Sequence, residues 1–446
     1  SSCSPTVVGL ASSLEESGVP TIAMHTETFA ELCRSAALAN GTPTQRQAYV
    51  PQPLVGLTPA QLRDYIEGVD PVSNRPVMQE VVEGLTGPLN DNDLKDMSFE
   101  RSTPRLLDPE TEANLHQLFI ENRWTDFQPI VLPSEERVAA MLAGTSHAPD
   151  ETVGRLRPTF FREAWESTVE KVAVNAVMAG ARPEYFPVIL ALAASGVTAR
   201  QSSTNSFGMI SVVNGPIRHE IGMNCGIGAM GPYNHANATI GRAYGLLSQN
   251  LQGGSVPGDT YMGSLGNWYA QGATFAENEE ASPWTPLHVQ KGFKAEDSTV
   301  SIFIGGWYTQ AGYGPRETWR EKLRRTFRAC EPYQPPLFVM DPLVARGFVA
   351  EGFDTKEKLI GWCAENAEMP AREYWDDLWV QTLLRPHAVA GVEPYASRLR
   401  AAPDDLVKLW EAEQINIVVT GGETQPAWKM FGGAWRNSTF SIDAWR

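Results

Sequence analysis

The chain has 446 residues, with 36 Lys and Arg against 52 Asp and Glu, a formal net charge of −16. So acidic a chain repels phosphate backbones and anionic headgroups, which excludes nucleic acid and membrane surfaces as partners. Its 42% hydrophobic content excludes global disorder, and its length exceeds what one core holds, so two or three domains are expected.

The elements follow in chain order. Residues 7–17 read as a helix after the Ser4-Pro5 start, ended by Gly18. Residues 19–24 read as a strand, and residues 26–39 as a second helix closed by Asn40-Gly41. Thr58 and Pro59 supply an N-cap and a first-turn proline for a third helix. Strands and helices alternating at this spacing indicate a doubly wound parallel sheet over residues 1–70. Residues 71–155, rich in Pro, Asp, Asn and Glu, read as a helical or irregular linker or insertion.

From residue 156 to 446 a larger α/β domain is expected. Residues 169–180 carry apolar side chains on one broad helical face, and Pro183 opens a further helix. The apolar run 186–197 is too short to span a membrane and reads as a buried helix. Strands are expected at 209–213, 299–304, 337–340 and 415–420, the last closed by Gly421-Gly422. Helices are expected at 236–251, 317–329, 356–366 and 404–413. The fold class is therefore α/β: an N-terminal doubly wound domain plus a larger C-terminal α/β domain.

The first residues show no secretory leader, and five scattered cysteines make no disulfide framework, so a reducing, cytoplasmic setting is expected.

Four groups of residues can carry chemistry. Cys3 stands just ahead of a helix start, where the positive end of the helix dipole favours a thiolate; the alternative is a buried structural cysteine. Gly226, Gly228 and Gly231 precede the helix near Ala236. With Asn224, Cys225, Asn237 and Arg242 they form a candidate anion-binding loop, or a tight turn that needs glycine on steric grounds. The loop matches neither a dinucleotide fingerprint nor a nucleotide phosphate loop.

Glu277, Glu279 and Glu280 cluster beside Trp284, and like charges held close suit a general acid or base; the alternative is a solvated acidic turn. His288, eight residues on, is an acid/base partner or a structural histidine. Lys171, in an otherwise apolar helix, is a candidate carboxylate anchor or reactive amine, or a partner of Glu170 or Glu184. His219, Glu220, Cys225 and His235 are of metal-ligating type, but their spacing fits no zinc pattern, so no cofactor is assigned. The 13 tryptophans are assigned to core and subunit interfaces.

Three short strings carry a resemblance: Cys3-Ser4-Pro5, Gly18-Val19-Pro20-Thr21-Ile22 and Val50-Pro51-Gln52-Pro53-Leu54. They resemble the UGSC proteins, named for selenocysteine-Gly-Ser-Cys, and the selenoprotein B subunit of the glycine, sarcosine and betaine reductases. Ser1-Ser2-Cys3 corresponds to the last three motif positions, and Gln52 stands where the relatives carry His. Strings at 156–185, 214–243 and 276–289 resemble the long C-terminal region of UGSC-type proteins.

The resemblance implies a cysteine-dependent enzyme, with Cys3 as nucleophile or resolving thiol and a redox partner protein. The expected substrate is a small molecule bearing a carboxylate or amine, its anion held by the glycine loop and Arg242, with Glu279 or His288 moving protons. A homo-oligomer is expected. The alternatives are a non-redox lyase or hydrolase built on Glu277–His288, and a subunit of a multiprotein reductase.

Overall fold

The computed structural model describes residues 3–39, 42–54, 56–88, 104–155, 166–199, 208–252, 266, 273–305, 307–311, 317–432 and 437–446. The amino-terminal part holds α1 (Cys3–Glu16), β1 (Ala23–Thr26), α2 (Ala30–Ala39), β2 (Gln47–Val50), α3 (Pro59–Glu67) and α4 (Val77–Thr86). β1 and β2 pair in parallel, from Ala23 opposite Gln47 to Thr26 opposite Val50, and α1 packs on α2 and β1. Thr58 caps α3 as its sequence predicts: its side chain accepts from Gln61 N–H while the Gln61 side chain accepts from Thr58 N–H. A small core of Val8, Phe29, Leu32, Cys33, Ala36 and Ala37 holds these elements together.

Next come α5 (Glu112–Glu121), α6 (Glu135–Leu142), the antiparallel pair β3 (Thr152–Arg155) and β4 (Glu166–Thr168), α7 (Val169–Met178) and α8 (Phe186–Ala194). They are followed by β5 (Gly208–Asn214), α9 (Ile217–Glu220), α10 (His235–Gln252), β6 (Thr274–Ala276), α11 (Leu287–Gln290), β7 (Thr299–Gly305), β8 (Trp307–Ala311) and α12 (Trp319–Ala329). The chain continues through β9 (Leu337–Met340), α13 (Pro342–Ala350), α14 (Lys356–Asn366), β10 (Glu368–Pro370), β11 (Leu406–Lys408), β12 (Asn416–Val419), β13 (Trp428–Gly432) and β14 (Asn437–Ser441).

Two mixed four-stranded sheets result, ordered β14-β7-β5-β6 and β12-β9-β13-β8. Their inner faces meet: Ile210, Val212, Phe275 and Phe303 of the first pack in one cluster with Leu337, Val339, Val418 and Phe431 of the second. The alternate residues face outward onto helices. Met209, Val213, Val300, Ile302 and Ile304 join a core with α7, α8 and α10. Phe338, Met340, Ile417 and Val419 join another with α12, α13 and α14. The order is helix, sheet, sheet, helix. It explains why β5 and β7 are apolar on both faces apart from Ser211 and Ser301 and the terminal Asn214 and Thr299: every residue of each strand is buried.

The chain is thus mixed α/β. Residues 404–413 differ from the helix expected there. Leu406–Lys408 form β11, antiparallel to β10, with Val407 buried between exposed Leu406 and Lys408, a period of two rather than 3.6. β6, β8, β13 and β14 are strands the sequence reading passed over. No helix among the described residues is long and apolar enough to cross a membrane. Residues 156–165 and the side chain of Cys3 lie outside the described part.

Candidate functional site

β5 and β6 run parallel, so their carboxyl ends lie side by side. Asn214 ends β5 and Glu277 follows β6. Gly215 then turns the chain with φ +85°, and a Cβ there would sit 2.1 Å from Asp297 O, so only glycine fits.

This turn brings three carboxylates against two cations. Glu277 is wholly buried. It accepts from Asn214 Nδ2 at 2.6 Å, from Leu287 N–H at 2.7 Å and from Lys356 Nζ at 2.9 Å. Glu279 Oε1 accepts from Asn214 Nδ2 at 2.9 Å and Gly215 N–H at 2.8 Å, and its Oε2 lies 3.1 Å from Arg218. The buried Arg218 donates to the carbonyls of Gly215 and Glu277 and forks onto Glu280 at 2.9 and 3.2 Å. That fork is the chief reason the Glu280 carboxyl is held down at about 2; His219 Nε2, 2.9 Å away, adds to it.

His288 is fully buried. Its Nδ1 lies 3.9 Å from Glu279 Oε1 and has no hydrogen-bond partner, and its Nε2 is 3.4 Å from Ala295 O. Cys225 is half-buried within reach of Arg218 and Glu280; burial raises its thiol pKa and the Arg218 charge opposes that rise. The structure therefore brings Glu277, Glu279, Glu280, His288, His219 and Cys225 together. Asn214, Arg218 and Lys356, which organise them, were not singled out in the sequence. A Lys at the first helical position after a Thr N-cap looks like an ordinary exposed residue.

The glycine loop is tied from within. Asn224 Oδ1 accepts from Gly226 N–H, and Asn224 Nδ2 donates to Ile227 O and Asn234 Oδ1. Asn234 Nδ2 reaches the carbonyls of Gly228, Ala229 and Gly231. Asn237 Nδ2 donates to Asn224 O and Ala229 O, both at 3.0 Å. Gly228 has φ +73°. Asn224 and Asn237 thus shape the loop with their own side-chain amides.

Other sequence candidates lie elsewhere. Arg242, on α10, forms a two-pronged pair with Asp126 at 2.9 and 3.1 Å and donates to Pro129 O. Lys171 is on the exposed side of α7, and its neighbour Glu170 pairs with Arg105. His235 Nδ1 is 3.2 Å from Tyr185 Oη, and Glu220 pairs with Arg446. Among the described residues no group of three or more His, Cys, Asp or Glu is arranged to hold a metal ion. Cys3 is the first residue of α1.

A family model, that of the UGSC family, matches residues 1–78. The strings between 156 and 289 lie beyond the matched part. No curated protein and no solved structure matches the chain. The matched region spans α1, α2, both parallel strands and α3, with Cys3 at its helix start, and over these residues the chain is similar to the UGSC family.

Proposed function

We propose that the protein is a thiol-dependent enzyme, an oxidoreductase in reaction type, that acts on a small carboxylate- or amine-bearing molecule through Cys3. The observation that carries this reading is the place of Cys3: it opens a 14-residue helix inside the region matched by the UGSC family. Unsatisfied N–H groups and the helix dipole favour the thiolate at such a position. The other described cysteines are poorer nucleophiles, because burial raises the thiol pKa of each, to about 12 for Cys33 and Cys330. The finer architecture of this reading is a doubly wound amino-terminal domain. Its setting is a reducing cytoplasm, with a redox partner protein and a homo-oligomer.

The test is a turnover screen on small carboxylates and amines with a dithiol reductant present. Cys3→Ser should abolish turnover, and full activity in that variant rejects the reading. The unpaired Nδ1 of buried His288, 3.9 Å from Glu279, favours a second reading, a lyase or hydrolase using that pair for proton transfer. Activity that survives alkylation of all accessible thiols and needs no reductant selects it.

A further inference from the structure

α3 and α4 hide little apolar surface. α3 has no buried residue, and α4 has one, Val77. α4 sits down on the sheet at Gly84, where a Cβ would lie 2.6 Å from Ile22 Cδ1. At about 100° per residue, Val77, Val81 and Gly84 share that inward side. Glu80 and Glu83 fall on one flank of the helix, where both pair with Arg75. Met78, Val82 and Leu85 fall on the other flank and are 44, 54 and 41% exposed.

Neighbouring elements extend this patch. Met24, two residues after Ile22 and so on the same side of the sheet, is 40% exposed. Ile66 on α3 and Val69, bridged to Pro76 just ahead of α4, are 40% and 54% exposed. The opposite side of the sheet is covered by α2, whose Ala30 O accepts from Tyr49 Oη, and α1 packs on α2. Among the described residues no element after α4 packs substantially on α3 or α4. The six side chains leave roughly 450 Å² of apolar surface open, the size at which a patch marks an interaction site.

Area and symmetry name the occupant. A stable dimer buries about 800 Å² on each partner, roughly 60% of it apolar, and the six side chains supply nearly all of that share. The stripe on α4 is close to symmetric about its middle: Met78 precedes Val82 by one helical turn and Leu85 follows it by one. Two α4 helices crossing antiparallel at Val82 set Met78 of each copy against Leu85 of the other, the self-complementary contact of a twofold dimer. Gln79 and Thr86 border the stripe on its solvent side, so no ion is buried unpaired there. We propose that this face of the amino-terminal part, centred on α4, is the interface between two copies of the chain. The inference rests on the homo-oligomer of the reading above and gives it a place, with α1 on the opposite layer left open.

Sedimentation equilibrium on the full chain, over a concentration series, tests the interface. The native chain should sediment as a dimer. Val82→Arg sets two like charges against each other near the axis and should raise the dissociation constant at least about a hundredfold. Leu10→Arg alters a side chain more exposed than any of the six, 62%, but on the opposite layer, and should leave the constant within about threefold. A charge exchange guards against a folding defect. Met78→Lys and Leu85→Glu should each weaken the dimer. Placed in one chain they stand about 10 Å apart along the helix but face each other across the axis, so the double variant should bind more tightly than either single one.

A native dimer that Val82→Arg leaves intact overturns the interface while the homo-oligomer stands. Equal dissociation by Leu10→Arg does the same, and so does a double variant no tighter than the single ones. A native chain that is monomeric at every concentration overturns both.

Discussion

Lys356 and Glu277 show how much a single side chain settles here. Both are buried, 1% and 0% exposed, and the carboxylate also serves Asn214 and Leu287. Lys356→Met leaves that carboxylate without its cation, and losing one member of a buried pair costs about 3–5 kcal/mol. Urea unfolding should show the drop, and Glu277→Gln in the same chain should recover part of it. Glu280 sets a pH dependence. Its carboxyl ordinarily titrates near 4.5 and in the fold at about 2, so its pairing with Arg218 stabilises fully above 4.5 and is lost as pH falls through about 2. Glu280→Gln should flatten the acid limb of melting temperature against pH in that window. Thiols give a third expectation: Cys33, Cys330 and Cys363, buried and raised in pKa, should react with an aromatic disulfide reagent only on unfolding. The three glutamates were legible because they crowd four positions of sequence. Their partners were not, since Lys356 stands 79 residues from Glu277 and only the tertiary fold joins them.

At the scale of the element, the glycine loop is rigid because amide side chains hold its carbonyls. Asn234→Ala strips three of those carbonyls of a donor, and the loop should become the preferred site of limited proteolysis. Gly422→Ala acts from the other side: its Cβ would lie 2.2 Å from Ile227 Cγ1 and 3.0 Å from Ile227 N. Such overpacking costs about 1–3 kcal/mol, to be read as a lowered melting temperature. The strands at 209–213, 299–304 and 337–340 were visible as short, mostly apolar runs, and the structure extends the first two by a residue or two. β11 was hidden because a three-residue strand preceded by Pro403-Asp404-Asp405 has too little pattern to separate it from a helix start. β13 was hidden because its role as the central antiparallel strand between β9 and β8 is fixed by pairing, not by local composition.

Over the whole molecule, stability is unevenly spread. The two facing sheets and their helices share large aliphatic and aromatic clusters, whereas the cluster among the described residues of the amino-terminal part has six members, two of them alanine and one cysteine. Small cores give marginal units. Native-state hydrogen exchange should therefore find β1 and β2 amides exchanging well before those of β5 and β7; equal protection would contradict this picture. The residues read as chemical from the sequence belong to both parts, Cys3 to the lightly held unit and the glutamates to the strongly held one. Their joint legibility came from residue type, while their division between two cores became visible only in three dimensions.

One seam within the larger part has a mechanical consequence. Cys225 O accepts the Gly421 N–H at 2.8 Å, Asn278 N–H donates to Val419 O at 2.7 Å, and Thr420 Oγ1 donates to Ala276 O at 2.8 Å. These stitches clamp the tip of one sheet to the tip of the other, leaving no slack for a hinge at that edge. Any breathing that admits a visitor to the Glu279–Cys225 neighbourhood must come from side chains and surface loops, with the layered frame standing still.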